Sequence, residues 1–319
     1  MPERLLATNE YDFSLRPIGD VVCFGFLTYL LLLVVETFPE KNDGTSIQEI
    51  VESLGDDAAI IASILSRWKV STTLVSSPVG DDHHGNKVIE QLRVSGIDLG
   101  LRVRQEATTP VEVAIVDAAG SRTYFQKRDS SALALLPSLD INQLIDARIL
   151  YVDWYDGSRV IDAMERAHSL KVPVFLNLEA KYRDNPELPE LLRHADICQV
   201  SLDEPTASGD PAQVARALID QGVGTVLVTL GAEGCVAVQQ HRGFHIQTPE
   251  VEVIDGYGAG AAFAAGIIYG LQAGWPLEGC TRFANAHAAL KCGITGNPAI
   301  PISQVQELAE TLGVRPIVV

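Results

Sequence analysis

Four short apolar runs set the fold: ILYV at residues 149–152, VFLNL at 174–178, ICQV at 197–200 and TVLVT at 225–229. Segments with helical spacing lie between them, at 158–169, 187–194 and 211–221. A strand that is apolar at nearly every position has both faces covered, whereas a half-exposed strand alternates. Strands of this kind separated by helix-length crossovers form a parallel sheet with helices on both faces. The reading is therefore an α/β, doubly wound, mostly parallel architecture.

Working outward, two runs at 235–239 and 243–247 read as a hairpin. A strongly apolar helical block follows, at about 258–271, 277–290 and 302–312. Toward the N-terminus, a strand at 21–24 ends at Gly25, and short strands at 30–37 and 46–52 flank the polar turn Glu40-Lys41-Asn42-Asp43-Gly44. A helix is expected at 57–68 and a strand at 72–76. Asp82 fits a helix N-cap, where its oxygen accepts from orphan N–H groups. Runs at 111–117 and 123–127, joined by Ala118-Ala119-Gly120-Ser121, form a second hairpin signal. Residues 1–19 read as an N-terminal extension and 20–319 as one domain. A small β lid is drawn from about 30–52 and 108–128.

The 319 residues carry a net charge of −17, 47% hydrophobic residues and 6% aromatics. That is enough apolar matter for an α/β core, and the acidity argues against a nucleic-acid partner, because nothing neutralises a polyanion. Cys23, Cys198, Cys235, Cys280 and Cys292 are odd in number and widely spaced, the pattern of a reduced cytoplasmic chain. The stretch 21–35 is uncharged for 15 residues, short of the roughly 20 that a spanning helix needs, and reads as two strands. A membrane partner is not expected, and residues 1–19 do not read as a signal peptide.

The densest chemical signal is Asp255-Gly256-Tyr257-Gly258-Ala259-Gly260-Ala261-Ala262-Phe263. It follows the strand-like 251–254 and opens an apolar helix. Small residues at a helix N-terminus let backbone N–H groups approach an anion, and the helix dipole favours negative charge there. Tight helix packing is the structural alternative for the glycines.

This stretch resembles the D-T-x-G-A-G-D signature of the ribokinase/PfkB sugar-kinase family, and the resemblance extends from about Asp20 to Pro301. Gly80-Asp81-Asp82-His83-His84-Gly85 is similar to its G-D-D-x-x-G turn. Thr109 with 111–117 is similar to its lid hairpin, and Val228-Thr229-Leu230-Gly231-Ala232-Glu233-Gly234 to its nucleotide-side segment. Phe283-Ala284-Asn285-Ala286 resembles its C-terminal helix. The resemblance implies ATP-dependent phosphorylation of a sugar hydroxyl. Gly258, Ala259 and Gly260 would form the anion hole. Thr229, Gly231, Gly234, Glu204, Asn285 and Asp255 would serve ATP or ADP, with Glu204 on the Mg2+ side.

The same resemblance exposes departures. Ala261 stands where the family has its catalytic aspartate, and Gly256 where it has threonine. The G-G-x-x-x-N signature reads from Gly55 with Asp56 and Asp57, and Ile61 is taken to replace the sugar-binding asparagine. Leu30 falls where a sugar-contacting aspartate is usual, Ser201 replaces the asparagine before Glu204, and Asn177-Leu178-Glu179 departs from D-x-N. The expectation is a pseudokinase that retains a nucleotide and acts by binding, with a protein partner. The alternative is an active sugar or nucleoside kinase whose base has moved to Asp56, Asp57 or Asp153. A homodimer through the lid is expected, with the apolar stretch from Leu30 to Val35 as an edge needing cover. Asp153 and Asp156 follow a sheet strand, and Trp154 and Tyr155 beside them could stack on a ligand. His83 and His84 read as exposed, His287 as a packed histidine, and no histidine–carboxylate cluster suggests zinc.

Overall fold

The computed structural model describes residues 20–97, 103–118, 122–127, 135–156, 158–203, 209–240, 242–298 and 300–319. The first strand, β1 (Asp20–Gly25), is buried on both faces, which explains its unbroken apolar run. It is followed by β2 (Thr28–Val35), β3 (Ile47–Gly55), α1 (Asp57–Arg67), β4 (Thr72–Ser76), the short β5 (Val79–Gly80) and α2 (His83–Ser95). Next come the short β6 (Val103–Arg104), then β7 (Val111–Val116) and β8 (Arg122–Lys127). The βα alternation continues as β9 (Ala147–Asp153), α3 (Ser158–Ser169), β10 (Val174–Glu179), α4 (Leu188–Arg193), β11 (Ile197–Ser201), α5 (Pro211–Ile219) and β12 (Thr225–Thr229). The chain finishes with β13 (Cys235–Gln239), β14 (Arg242–Ile246), α6 (Ala259–Gln272), α7 (Leu277–Cys292), α8 (Ile302–Thr311) and β15 (Val314–Ile317).

The main sheet has the order β15-β14-β13-β12-β11-β10-β9-β1-β4. Its strands are parallel from β4 through β12 and antiparallel from β12 onward. Period-2 alternation sorts the central residues into two cores. Val21, Cys23, Tyr151, Phe175 and Leu227 face α1, α6, α7 and α8. Val22, Phe24, Leu150, Leu176 and Val226 face α3, α4 and α5. A four-stranded sheet of order β3-β2-β7-β8 forms the lid. Among the described residues no helix is long and apolar enough to cross a membrane.

Two expectations need correction, and one strand was missed. The apolar β2 is not an edge: it pairs with β3 on one side and β7 on the other, which covers its backbone groups. Residues 251–254 alternate like a strand but pair with none; Ile254 and Asp255 instead donate their N–H groups to the Cys292 carbonyl at 2.8 and 3.0 Å. The edge strand β15 was not anticipated, because Pro316 within it argues against a ladder, and only an edge position tolerates it.

Candidate active site

The strand order reverses between β1 and its neighbours β4 and β9, and in open α/β sheets such a point opens a crevice at the carboxyl ends of the strands. A polar row stands there. Asp153 on β9, Asn177 on β10 and Gln199 on β11 occupy matched register positions and so share one face, that of α1 and α6. All three are buried. Asn177 Nδ2 donates to Asp153 Oδ1 and to Asp57 Oδ2 on α1, both at 3.1 Å, which ties the helix start to the strand ends. The Tyr151 hydroxyl donates to Asp153 Oδ1 at 2.7 Å. Burial, reinforced by the charges of Asp153 and Asp57, pushes that phenol well above its usual range. Gln199 Nε2 donates to the Gly260 carbonyl at 3.2 Å, so the row ends on the glycine loop.

The loop itself is held from several sides. Gly258 caps α6 with φ 76°, and a Cβ there would meet Asn297 Oδ1 at 2.6 Å, so both conformation and space demand glycine. The first turn of α6, with Ala259, Gly260 and Ala261, carries N–H groups that an α-helix leaves without intrahelical partners. Ala261 is fully buried and offers no titratable group. Arg122 of the lid donates to the Gly256 carbonyl at 3.0 Å and lies 3.6 Å from Asp203. Asp255, also fully buried, accepts from the Tyr257 and Gly296 N–H groups, each at 2.8 Å, and from Lys291 Nζ at 2.7 Å. Behind the loop, His287 Nδ1 donates to the Ala262 carbonyl at 2.8 Å, and burial pushes that imidazole down to about 4.

The lid covers this site with an unexpected carboxylate. Leu30 lies in register with Glu112 of β7, and Glu112 with Gln126 of β8. Leu30 is fully buried, so no carboxylate function survives at that position, yet Glu112 stands one strand over. Glu112 accepts from Gln126 Nε2 and from the Tyr257 hydroxyl, whose pKa is raised by burial first and then by Glu112, Asp56 and Asp57. Sequence reasoning missed Glu112 because it sits in an ordinary alternating strand; only register brings it beside Leu30. Tyr124 and Tyr257 bring lid and loop together with ring centroids 5.9 Å apart.

Asp56 is buried at the start of α1 with φ 66° and ψ 138°, a conformation suited to glycine, and its carboxylate accepts from the Thr28 hydroxyl. Counted from Gly55, the asparagine position of G-G-x-x-x-N is Ile60 rather than Ile61; both are buried. Asp82 caps α2 as expected, accepting from Gly85 N–H at 2.8 Å and from the Thr109 N–H and hydroxyl at 2.9 and 2.8 Å.

Among the residues that the resemblance assigns to the nucleotide, Thr229 ends β12 and donates to the Val200 carbonyl at 3.3 Å. Gly231 and Gly234 follow with φ 56° and 96°, and a Cβ on Gly234 would lie 2.0 Å from the Ile246 carbonyl oxygen. Asn285 is buried; it donates to the Ile246 carbonyl at 3.2 Å and accepts from Thr248 at 3.3 Å, so it frames this loop. Glu204 lies outside the described residues, as do the turn residues 119–121 and the side chain of Asp156. His83 is exposed, whereas His84 is half-buried with its ring 4.7 Å from that of Tyr29. Trp154 and Tyr155 are half-buried beside the strand end. One histidine–carboxylate group does converge, Glu165, Glu190 and His194 within 4.8 Å, but on α3 and α4 in the other helix layer. Glu190 in this group also pairs with Arg193.

Comparison with known proteins agrees with this geometry. Residues 19–301 match the pattern of the pfkB family of carbohydrate kinases. A nucleoside kinase of Methanothermobacter thermautotrophicus is 26% identical over 294 residues, covering 85% of this chain and 88% of its own. The structure of Arabidopsis thaliana ribokinase complexed with ribose and ATP superposes with a TM-score of 0.74 at 22% identity, covering 92% of this chain and 99% of that one. Ribokinase from Thermotoga maritima gives a TM-score of 0.74 at 20% identity, covering 92% of this chain and 100% of that one.

Proposed function

Because the chain belongs to the pfkB family of carbohydrate kinases, we propose that it binds ATP and phosphorylates a hydroxyl of an atypical sugar or nucleoside acceptor, with the base role moved from the position of Ala261. One observation carries this reading: Asp57 and Asp153 are joined through Asn177 at the strand ends, in the row that reaches Gly260 through Gln199. The glycine turns fit a nucleotide, since Gly258 and Gly234 occupy places that a Cβ would fill. The transferred phosphate would rest on the first turn of α6, and the nucleotide on Thr229, Gly231 and Gly234 framed by Asn285. Magnesium, when bound, supplies charge neutralisation of the phosphates; Glu204 is its expected protein contact.

Asp57 would take the proton of the acceptor hydroxyl, its carboxylate already oriented by Asn177. Glu112 would accept from another acceptor hydroxyl in the role lost at Leu30. A positioned base is worth about 10²–10⁴ in rate, and positioning with charge stabilisation supplies much of the rest of phosphoryl transfer. The test is ATP turnover across a panel of sugars and nucleosides. Asp57→Asn should lower turnover at least about 100-fold while leaving ADP binding intact. Unchanged turnover in both Asp57→Asn and Asp153→Asn refutes the moved base.

Ala261, Leu30 and Ile60 favour a second reading, a pseudokinase that holds ATP or ADP and acts through a protein partner. A chain that binds magnesium–ADP yet phosphorylates nothing on the panel supports it. Either reading accommodates a homodimer through the outer lid face. There Leu31, Leu33, Val113 and Ile115 are half-buried, while Ile50 and Phe125 are 59% and 54% exposed. Sedimentation should show a dimer that Phe125→Asp dissociates; a monomer at all concentrations contradicts it.

A further inference from the structure

Asp255 puts a buried carboxylate three residues before the Gly258 turn, close to where an anion would bind. An ionised group there repels phosphate. Three donors hold it, and two of them, the N–H groups of Tyr257 and Gly296, are neutral. The third is the ammonium of Lys291, 3% exposed, which donates to Asp255 Oδ2 at 2.7 Å and to the Asp255 carbonyl at 2.8 Å. The other charged or titratable groups facing the pair are Arg122 from the lid and the thiol of Cys292, and Asp203 beyond β11 acts on that thiol. A buried ion pair adds little net stability over an apolar pair of similar shape, so the larger consequence of Lys291 is for local charge.

We propose that Lys291 is a built-in countercharge for the glycine loop: it cancels the Asp255 carboxylate, so that an incoming phosphate meets only the N–H groups of α6. The inference rests on the reading of residues 258–261 as a phosphate loop. Lys291 is thus a positioning and charge-compensating residue that need not touch the nucleotide.

The experiment is calorimetric titration of the full chain with magnesium–ADP, and with inorganic phosphate alone, at about pH 8. Lys291→Met should weaken binding about ten-fold. Asp255→Asn leaves the ammonium uncompensated and should tighten binding several-fold. The double variant Lys291→Met with Asp255→Asn removes both charges and should bind within about three-fold of the unaltered chain.

A merely structural clamp predicts the opposite pattern, with the double variant as weak as Lys291→Met, and that result overturns the proposal. So does unchanged affinity in Lys291→Met. Should that variant fail to fold, Asp255→Asn decides alone, since unchanged or weaker binding contradicts countercharge. If the unaltered chain binds neither probe, the phosphate-loop reading fails and takes this inference with it.

Discussion

Lowering the pH should loosen the helix behind the glycine loop through one residue, His287. Its ring is 1% exposed, it lies 4.5 Å from the Trp68 ring, and its Nδ1 proton is committed to the Ala262 carbonyl. Burial depresses its pKa from 6.5 to about 4. A histidine with a depressed native pKa stabilises the fold fully above its unfolded value, and that stability is lost as the pH falls toward the folded one. With these two values, the unfolded chain binds nearly one more proton than the folded chain at about pH 5. The loss between about pH 7 and about pH 5 is then about 2 kcal/mol. Urea unfolding at both pH values measures it, with His287→Phe as the reference that lacks the titrating group. The variant should be less stable at neutral pH, because the Ala262 carbonyl loses its donor. Its stability should nevertheless fall by about 2 kcal/mol less than that of the unaltered chain as the pH drops. Equal losses in the two proteins refute the reasoning.

Two glycines test the packing around the loop. Gly258→Ala forces a side chain into φ 76° and against Asn297 at 2.6 Å, so we expect roughly 1–2 kcal/mol of destabilisation together with weaker magnesium–ADP binding by calorimetry. Gly266→Ala places a Cβ 2.6 Å from the Ala284 Cα where α6 crosses α7; overpacking costs roughly 1–3 kcal/mol, partly offset by the better helix propensity of alanine. Denaturant midpoints check both, and a midpoint unchanged in either variant contradicts the contact named for it.

Much of the fold was legible because apolar runs and helical spacing are local signals. The strands at 72–76, 225–229 and 235–239 and the helix at 158–169 fall where the sequence puts them. Residues 251–254 misled because an apolar, alternating run does not require a neighbouring strand; Val253 and Ile254 are exposed, and the Ile254 N–H donates to the Cys292 carbonyl instead. The apolar β2 misled in the other direction, since apolarity alone does not separate an edge strand from an interior one. At the site, Gly258 was legible because its left-handed backbone favours glycine, and Asp82 because a helix N-cap needs a side-chain acceptor. Glu112 and Gln199 were not, since each acquires its place only through pairing with a distant strand.

That difference changes what the substitutions mean. Read along the sequence, Leu30, Asp56 and Ala261 look like successive losses from a sugar site. In the folded chain, the carboxyl group missing at Leu30 has a counterpart in Glu112, directly across the ladder on the same face. Asp57 and Asp153 flank Asn177, while the loop carrying Ala261 keeps the left-handed Gly258 turn that the proposed anion site requires. Asp56 adds a glycine-like φ in a residue with a side chain, a conformation that costs about 1–3 kcal/mol and must be held by its surroundings. A site merely decaying gains nothing from that strain, whereas one rebuilt for a different acceptor gains a buried carboxylate bonded to Thr28. The distribution of carboxylates therefore favours a changed acceptor over an empty cleft.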